Sequence, residues 1–371
     1  MHNIKVLFIA PRFHTNQFFL TKKLLEKNIE VNFLSIYIGG SENHEYLQPI
    51  QSKPSSLIRY FLKNKNFNNG GDRKFLSSFH LTSFKQCWQL YRKLNPDIVI
   101  IRNLRSFISS QHFLINLVLR KKIYLYTQNH YCQNIGLNRR LFYSFLKFLG
   151  VKHYTPVFGD KTKPKIPNSM YIPFVIENMV EKEIVESKLK NHGIQIVTIG
   201  KMQTRKNILE LIESLVRLNF FREKHNKLYI ISECISNENQ QYLDLIQKKI
   251  KSFSSQVIIH LNIDHSQVFT FLKKSDLFVL PSHREPAAFS ILEAMACGTA
   301  VVCSNENGTH CYIKNGKNGQ VFEYSKDFKD LDLVLKSILN KNVLVNFGMA
   351  SLELINQNHG IEKFYSQVIN R

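Results

Sequence analysis

The chain has 371 residues and a mass of 43.4 kDa, with 44% apolar and 21% charged side chains. These are ordinary globular values and exclude a disordered, fibrous or collagen-like chain; at roughly 100–200 residues per domain, the length implies two domains or three. The charge stands out: 50 Lys and Arg against 28 Asp and Glu give +22 and a pI near 9.7, which calls for polyanionic company such as nucleic acid, an anionic membrane surface or phosphorylated substrates.

In chain order, short apolar runs alternate with helical patterns. Residues 4–10 read as a buried first strand, too short for the core of a signal peptide. Strands follow at 30–36, 97–101, 122–127 and 153–157, with helices at 15–27, 81–94, 106–119 and 139–149. The Asn-, Gly- and Lys-rich stretch 62–74 reads as a mobile basic loop. A join is expected near 160–190, where residues 161–167 are rich in proline and lysine. The alternation then repeats, with strands at 194–199, 227–232, 256–260, 276–280 and 299–303. Its helices fall at 205–219, 237–252, 265–274 and 287–297, and the last two at 343–356 and 360–369. Two such series predict two Rossmann-like α/β domains with parallel sheets. No run of 18 apolar residues occurs, so no spanning helix is expected. The six cysteines follow no framework or zinc spacing and read as free thiols of a reducing cytosol.

The charge is divided between the two series. Residues 1–180 hold 26 basic and 8 acidic side chains, and residues 181–371 hold 24 and 20. Between Asp97 and Asp160 there is no acidic residue, but nine Lys or Arg. The first half is a polycation and the second is nearly neutral.

The densest chemical information lies at 276–303. A strand ends at Pro281-Ser282, and a loop carries Glu285, held extended by Pro286. A helix is predicted from Ala287 to a C-terminal Gly298. Its N-terminus suits a phosphate, and ligands of open α/β sheets bind beyond the carboxyl ends of the strands. Glu285 would sit at that mouth. Glu293 falls within Ile291-Leu292-Glu293-Ala294-Met295-Ala296-Cys297, where a carboxylate needs a partner or a ligand. The plain alternative is a pair of solvent-facing carboxylates.

This segment resembles the E-x7-E region of retaining glycosyltransferases of family 4, of the bacterial surface-polysaccharide type. Asp276-Leu277-Phe278-Val279-Leu280-Pro281-Ser282 is similar to that family's lead-in. Ala294-Met295-Ala296-Cys297-Gly298-Thr299-Ala300-Val301-Val302 is similar to its closing stretch. Ile199-Gly200-Lys201-Met202-Gln203-Thr204-Arg205-Lys206-Asn207 resembles its phosphate loop, with Lys201 where Arg is usual. Asn315-Gly316-Lys317-Asn318-Gly319 resembles a further motif. The resemblance covers about 190–325; the first half matches in layout. Two departures concern the acceptor and the donor sugar: Ala10-Pro11-Arg12-Phe13-His14 lacks the glycine turn, and Asn307-Gly308-Thr309-His310 lacks an acid.

The resemblance implies the GT-B fold, two Rossmann-like domains facing a cleft: 1–180 on the acceptor side, 181–355 binding the nucleotide sugar, and a C-terminal helix, 356–371, packing back on the first. It implies that Lys201 and Lys206, beside Gly200, bind the diphosphate and stabilise the leaving group. Glu285 and the amides of Ala288, Phe289 and Ser290 would contact sugar or phosphate, and Glu293 the ribose hydroxyls. His130 would face the donor sugar, with Gln128 and Asn129 as alternatives and His14 on the facing loop. No metal or other cofactor is implied; the donor would be a UDP- or GDP-sugar and the acceptor a glycan or lipid-linked hydroxyl, in the cytoplasm or on the inner face of the membrane. Asp330-Leu331-Asp332 formally matches a metal-binding DxD, but lies in a helical pattern over 326–339 and reads as a solvated face.

The basic half has a use of its own. Residues 141, 142, 145, 146 and 149 form an apolar helical stripe flanked by Arg139, Arg140 and Lys147, which suits an interfacial membrane helix. It could equally be core with solvated cations. A nucleic-acid binder would account for the charge but not for the Lys201…Lys206 and Glu285…Glu293 pattern. A GT-B nucleotide-sugar epimerase would need no acceptor.

Overall fold

The computed structural model describes residues 3–39, 42–61, 78–102 and 104–370; the basic stretch 62–74 lies outside them. The chain divides into two units, residues 1–175 with 361–371, and residues 176–360. The changeovers thus fall at 175/176 and 360/361 rather than at 180/181 and 355/356.

Among the described residues the first unit holds seven strands: Lys5–Ile9 (β1), Glu30–Ser35 (β2), Ile50–Gln51 (β3), Ile98–Arg102 (β4), Lys122–Tyr126 (β5), Lys152–Thr155 (β6) and Ser169–Tyr171 (β7). They form one sheet in the order β3-β2-β1-β4-β5-β6-β7, every pair parallel. The central strands are covered on both faces, which is why they read as unbroken apolar runs. Alternate residues divide between two layers. Ile101 and Leu125 pack with Tyr91, Phe113, Tyr143 and Leu146 of the helices Phe84–Leu94, Phe107–Val118 and Leu137–Phe148. On β5 the intervening Tyr124 donates its hydroxyl to the carbonyls of Gln367 and Val368. The tail is no single helix: Glu362–Phe364 is followed by a π-turn over Tyr365–Ile369.

The second unit has Gln195–Lys201 (β8), Lys227–Glu233 (β9), Val257–Leu261 (β10), Leu277–Leu280 (β11), Ala300–Ser304 (β12) and Gly319–Phe322 (β13). Their order is β10-β9-β8-β11-β12-β13, again all parallel. The order reverses between β8 and β11, the crevice where open α/β sheets receive ligands. Asp276, 1% exposed, accepts from the Gln195 amide at 2.8 Å and the Lys341 ammonium at 2.7 Å. It ties the start of β8 to the helix Lys341–Asn358. Gly298 takes φ +62° after the helix Ser290–Ala296, and the helical Gly348 lies against its carbonyl.

Two of the predicted helices that are shortened lie beside the β8/β11 crevice. Residues 205–219 resolve into a 3-10 turn, Thr204–Lys206, and a helix, Ile208–Arg217. Asn207 breaks them with φ 52°, the left-handed region that Asn tolerates. The helix expected from Ala287 begins at Ser290. The Ala288 backbone is engaged elsewhere: its amide donates to Asn307 Oδ1 at 3.5 Å, and its carbonyl accepts from Thr309 Oγ1 at 3.1 Å.

Candidate active site

Parallel strands deliver a set of charged side chains to one edge of the second sheet. Lys201 ends β8, and Arg205 and Lys206 sit on the turn behind it. Glu233 ends β9 and His265 follows β10. Glu285 lies on the loop after β11 and Asn307 after β12. Thus Lys206 and Glu285 come from the two strands that flank the switch in strand order.

The turn is shaped by its own residues. Asn207 donates from Nδ2 to the Pro281 carbonyl at 2.8 Å, and the His283 amide donates to the Arg205 carbonyl at 3.1 Å, which lock the two loops together. Gly200 leaves room for the Lys206 stem: a Cβ there would lie 3.1 Å from Lys206 Cε. The Glu285 backbone is pinned on both sides, its amide donating to the Glu306 carbonyl and its carbonyl accepting from the Gly308 amide. Arg284, just before it, is held at φ 51° with its amide on the Glu306 carboxylate. A non-glycine residue in that region costs about 1–3 kcal/mol, which the surrounding hydrogen bonds must offset.

Glu285 receives two cations on one oxygen, Lys206 Nζ at 2.5 Å and Arg205 Nη1 at 2.7 Å. Burial alone would raise its pKa, but Lys206 and then Arg205 together outweigh burial and hold the carboxyl below the usual range. Lys206 is itself buried, which lowers its pKa against the opposing pull of Glu285. Lys201 pairs with Glu233 at 2.7 Å and is well exposed. At Glu285 itself two cations, Lys206 and Arg205, meet one carboxylate, which leaves an excess of positive charge at the β8/β11 crevice.

Glu293 has a partner that sequence reasoning did not find. Its Oε1 lies 2.6 Å from His265 Nε2, and both side chains are buried. Burial opposes charge on His265, but the Glu293 carboxylate and its hydrogen bond prevail and raise its pKa above 6.5. The sign follows by linkage. A raised folded pKa stabilises fully below the unfolded value, and the benefit is lost as pH rises through the folded value. The melting-temperature gap between wild type and His265→Asn is therefore expected to be widest below the ordinary histidine value of about 6.5 and to narrow as pH rises beyond it. A gap independent of pH would count against a charged pair.

The other expected positions are distributed as follows. Ala288 and Phe289 are buried, the former through the Asn307–Thr309 contacts. Ser290 is the first residue of its helix. Asn307, fully buried, opens the stretch 307–310 that lacks the resembled motif's acid, and its Oδ1 accepts from the Thr309 amide and hydroxyl. Asp332 is committed to Arg217 through two hydrogen bonds, and Asp330 accepts from the Glu323 amide. Among the described residues no group of three His, Cys, Asp or Glu could hold a metal ion.

His130 belongs to the first unit, on the segment after β5, where its carbonyl accepts from Gln133 Nε2 at 2.7 Å. Gln128 accepts from Arg102 at 3.4 Å, and the Asn129 carbonyl accepts from Thr155 Oγ1 at 2.5 Å. His14 opens the helix Thr15–Glu26, its amide donating to Gln17 Oε1.

Two parallel-sheet α/β units with a cationic crevice on the second define a class: the fold is that of the GT-B glycosyltransferases. The crystal structure of Anabaena HepE in complex with UDP and glucose aligns with a TM-score of 0.68 at 12% identity, over 99% of both chains. At that identity the likeness is one of fold. Residues 179–349 match the family described as glycosyl transferases group 1. A glycogen synthase of Mycobacterium tuberculosis is 28% identical over 146 residues, 39% of this chain and 34% of the relative. The N,N'-diacetylbacillosaminyl-diphospho-undecaprenol alpha-1,3-N-acetylgalactosaminyltransferase of Campylobacter jejuni is 29% identical over 169 residues, 44% of this chain and 42% of the relative. The matches thus span 34% and 42% of the length of these curated relatives.

Proposed function

We propose that the protein is a retaining glycosyltransferase that moves a hexosyl-type sugar from a UDP- or GDP-sugar to a hydroxyl of a glycan or lipid-linked acceptor, in assembly of a cell-surface polysaccharide such as lipopolysaccharide. The observation that carries this reading is the Lys206–Glu285–Arg205 cluster at the β8/β11 crevice, within the segment that matches the group 1 family. Lys201, Lys206 and Arg205 supply positive charge for a diphosphate, in place of a metal, and stabilise the negative charge that develops on the leaving nucleotide. Glu285 holds Lys206 and Arg205 and touches the donor sugar, beside the Ala288–Ser290 segment. Glu293, oriented by His265, takes the ribose hydroxyls. His130, in the first unit, is assigned to the sugar end of the donor from the family resemblance alone. In this reading the chain works at the inner face of the cytoplasmic membrane, and its basic first half meets the acceptor or the lipid.

Thermal-shift measurements with UDP, GDP, ADP and their sugars test the donor site. One nucleotide is expected to raise the melting temperature of the wild type, and the shift is expected to vanish in Lys206→Ala and Glu293→Ala. No shift with any nucleotide would sink the reading.

A further inference from the structure

The helices Phe84–Leu94, Phe107–Val118 and Leu137–Phe148 cover one face of the first sheet, and each is apolar on two sides. Their inner sides carry Tyr91, Phe113, Tyr143 and Leu146 into the core. Tyr91 and His112 hydrogen-bond at 2.9 Å, which links the first helix to the second.

The outer sides are the anomaly. In Leu137–Phe148, with about 100° per residue, Leu137, Leu141, Phe145 and Phe148 fall within about 80° of one another, opposite Tyr143 and Leu146. All four are exposed, Phe148 by 86%. The expected apolar stripe over 141–149 is therefore split: Leu146 is buried, while Leu141, Phe142 and Phe145 face outward. The neighbouring helices repeat the pattern. Phe84 and Trp88 line an open groove with Leu114 and Val118, and all four are exposed. Large exposed apolar surface of this kind marks an interaction site.

The cations interleaved with it narrow the partner. Arg92, Lys93, Arg120, Arg140 and Lys147 are exposed on or beside these helices, and no acidic residue lies between Asp97 and Asp160. A second copy docked face to face would bring like charges together with almost no carboxylate to pair them. A nucleic acid would use the cations and leave Leu and Phe in water. An anionic bilayer takes both, with aromatic and aliphatic side chains entering the headgroup boundary and Lys and Arg meeting lipid phosphates.

We infer that this three-helix face docks peripherally on an anionic lipid bilayer, with Leu137, Leu141, Phe145, Phe148 and Trp88 as the inserting side chains. The inference rests on the membrane part of the proposed function and gives it a surface; the donor site lies in the other unit, so nucleotide binding and lipid binding can fail separately.

Trp88 is the one tryptophan of the chain and lies on the proposed face, so it reports directly. The full chain is mixed at low salt with phosphatidylglycerol–phosphatidylcholine vesicles, with and without brominated acyl chains. Co-flotation, a blue shift of Trp88 emission and quenching by the brominated lipid are expected, with binding to pure phosphatidylcholine weaker by about tenfold or more. Leu141→Ser/Phe145→Ser/Phe148→Ser alters exposed positions; it should keep the wild-type circular dichroism and melting curve and lose flotation. Arg140→Ser/Lys147→Ser should weaken binding by about tenfold or more. Absence of flotation, flotation without quenching, or flotation unchanged in the triple variant would overturn the inference. So would a dimer, seen by sedimentation, that the triple variant abolishes.

Discussion

Lys206→Ala is expected to lower the rate of sugar transfer, or of donor hydrolysis, by roughly 100- to 1,000-fold while the fold survives. The size follows from position. Lys206 is the most buried of the three cations at the crevice, and a charge held in a water-poor site acts far more strongly than one in solvent. The fold should survive because Glu285 retains Arg205 at 2.7 Å, so no buried carboxylate is left alone. Lys206→Arg should not restore activity, since Gly200 already lies against the lysine stem and a guanidinium needs more width. Single-turnover kinetics alongside circular dichroism decide the matter. A rate within threefold of wild type would remove Lys206 from the chemistry.

Gly348→Val is expected to destabilise the second unit by about 3 kcal/mol or more, through overpacking against backbone that cannot retreat. An ideal Cβ at Gly348 would lie 2.3 Å from the Gly298 carbonyl oxygen and 3.1 Å from Val185 Cγ1. Helix propensity pulls the other way, since glycine in a helix interior costs about 1 kcal/mol relative to alanine. The overlap is the larger effect, so even Gly348→Ala should lower stability. Calorimetry should show the Val variant melting lower by roughly 6–12 °C, given about 2–4 °C per kcal/mol for a unit of this size. An unchanged melting temperature would mean that the helix Lys341–Asn358 can retreat from Gly298 at no cost.

The interior of both sheets was legible in the sequence because strands covered on both faces must be apolar throughout. Three strands escaped that signal. β3, β7 and β13 lie at the ends of their sheets and are short and partly exposed, so Ile50–Gln51 and Ser169–Tyr171 carry no apolar run. Gly298 announced the end of its helix and takes the positive φ expected of it. Asn207 was harder to read, because Asn serves many turns and its left-handed φ shows only once the 3-10 turn before it is seen. At the site, the family resemblance singled out Lys206 and, with the strand-loop pattern, Glu285, but not that they touch, nor that Arg205 shares the same oxygen. The apolar setting of Glu293 showed that it needed a partner. The partner, His265, is 28 residues away on another strand's loop, and nothing local links them. Periodicity grouped 141, 142, 145, 146 and 149 on one helix, but cannot tell a covered face from a bare one when both are apolar.

The return of residues 361–371 to the first unit has a consequence for folding. Phe364 and Val368 are buried there, and Tyr124 bonds to the tail's carbonyls. The second unit is continuous from 176 to 360 and can close its core without a distant segment. The first cannot, because residues 361–371, which belong to it, come after the whole of the second unit in the chain. Its final closure joins residues more than 240 positions apart, a long-range step of the kind that slows folding. Until residues 361–369 are in place, Tyr124 lacks its carbonyl partners and Tyr154 lacks Phe364.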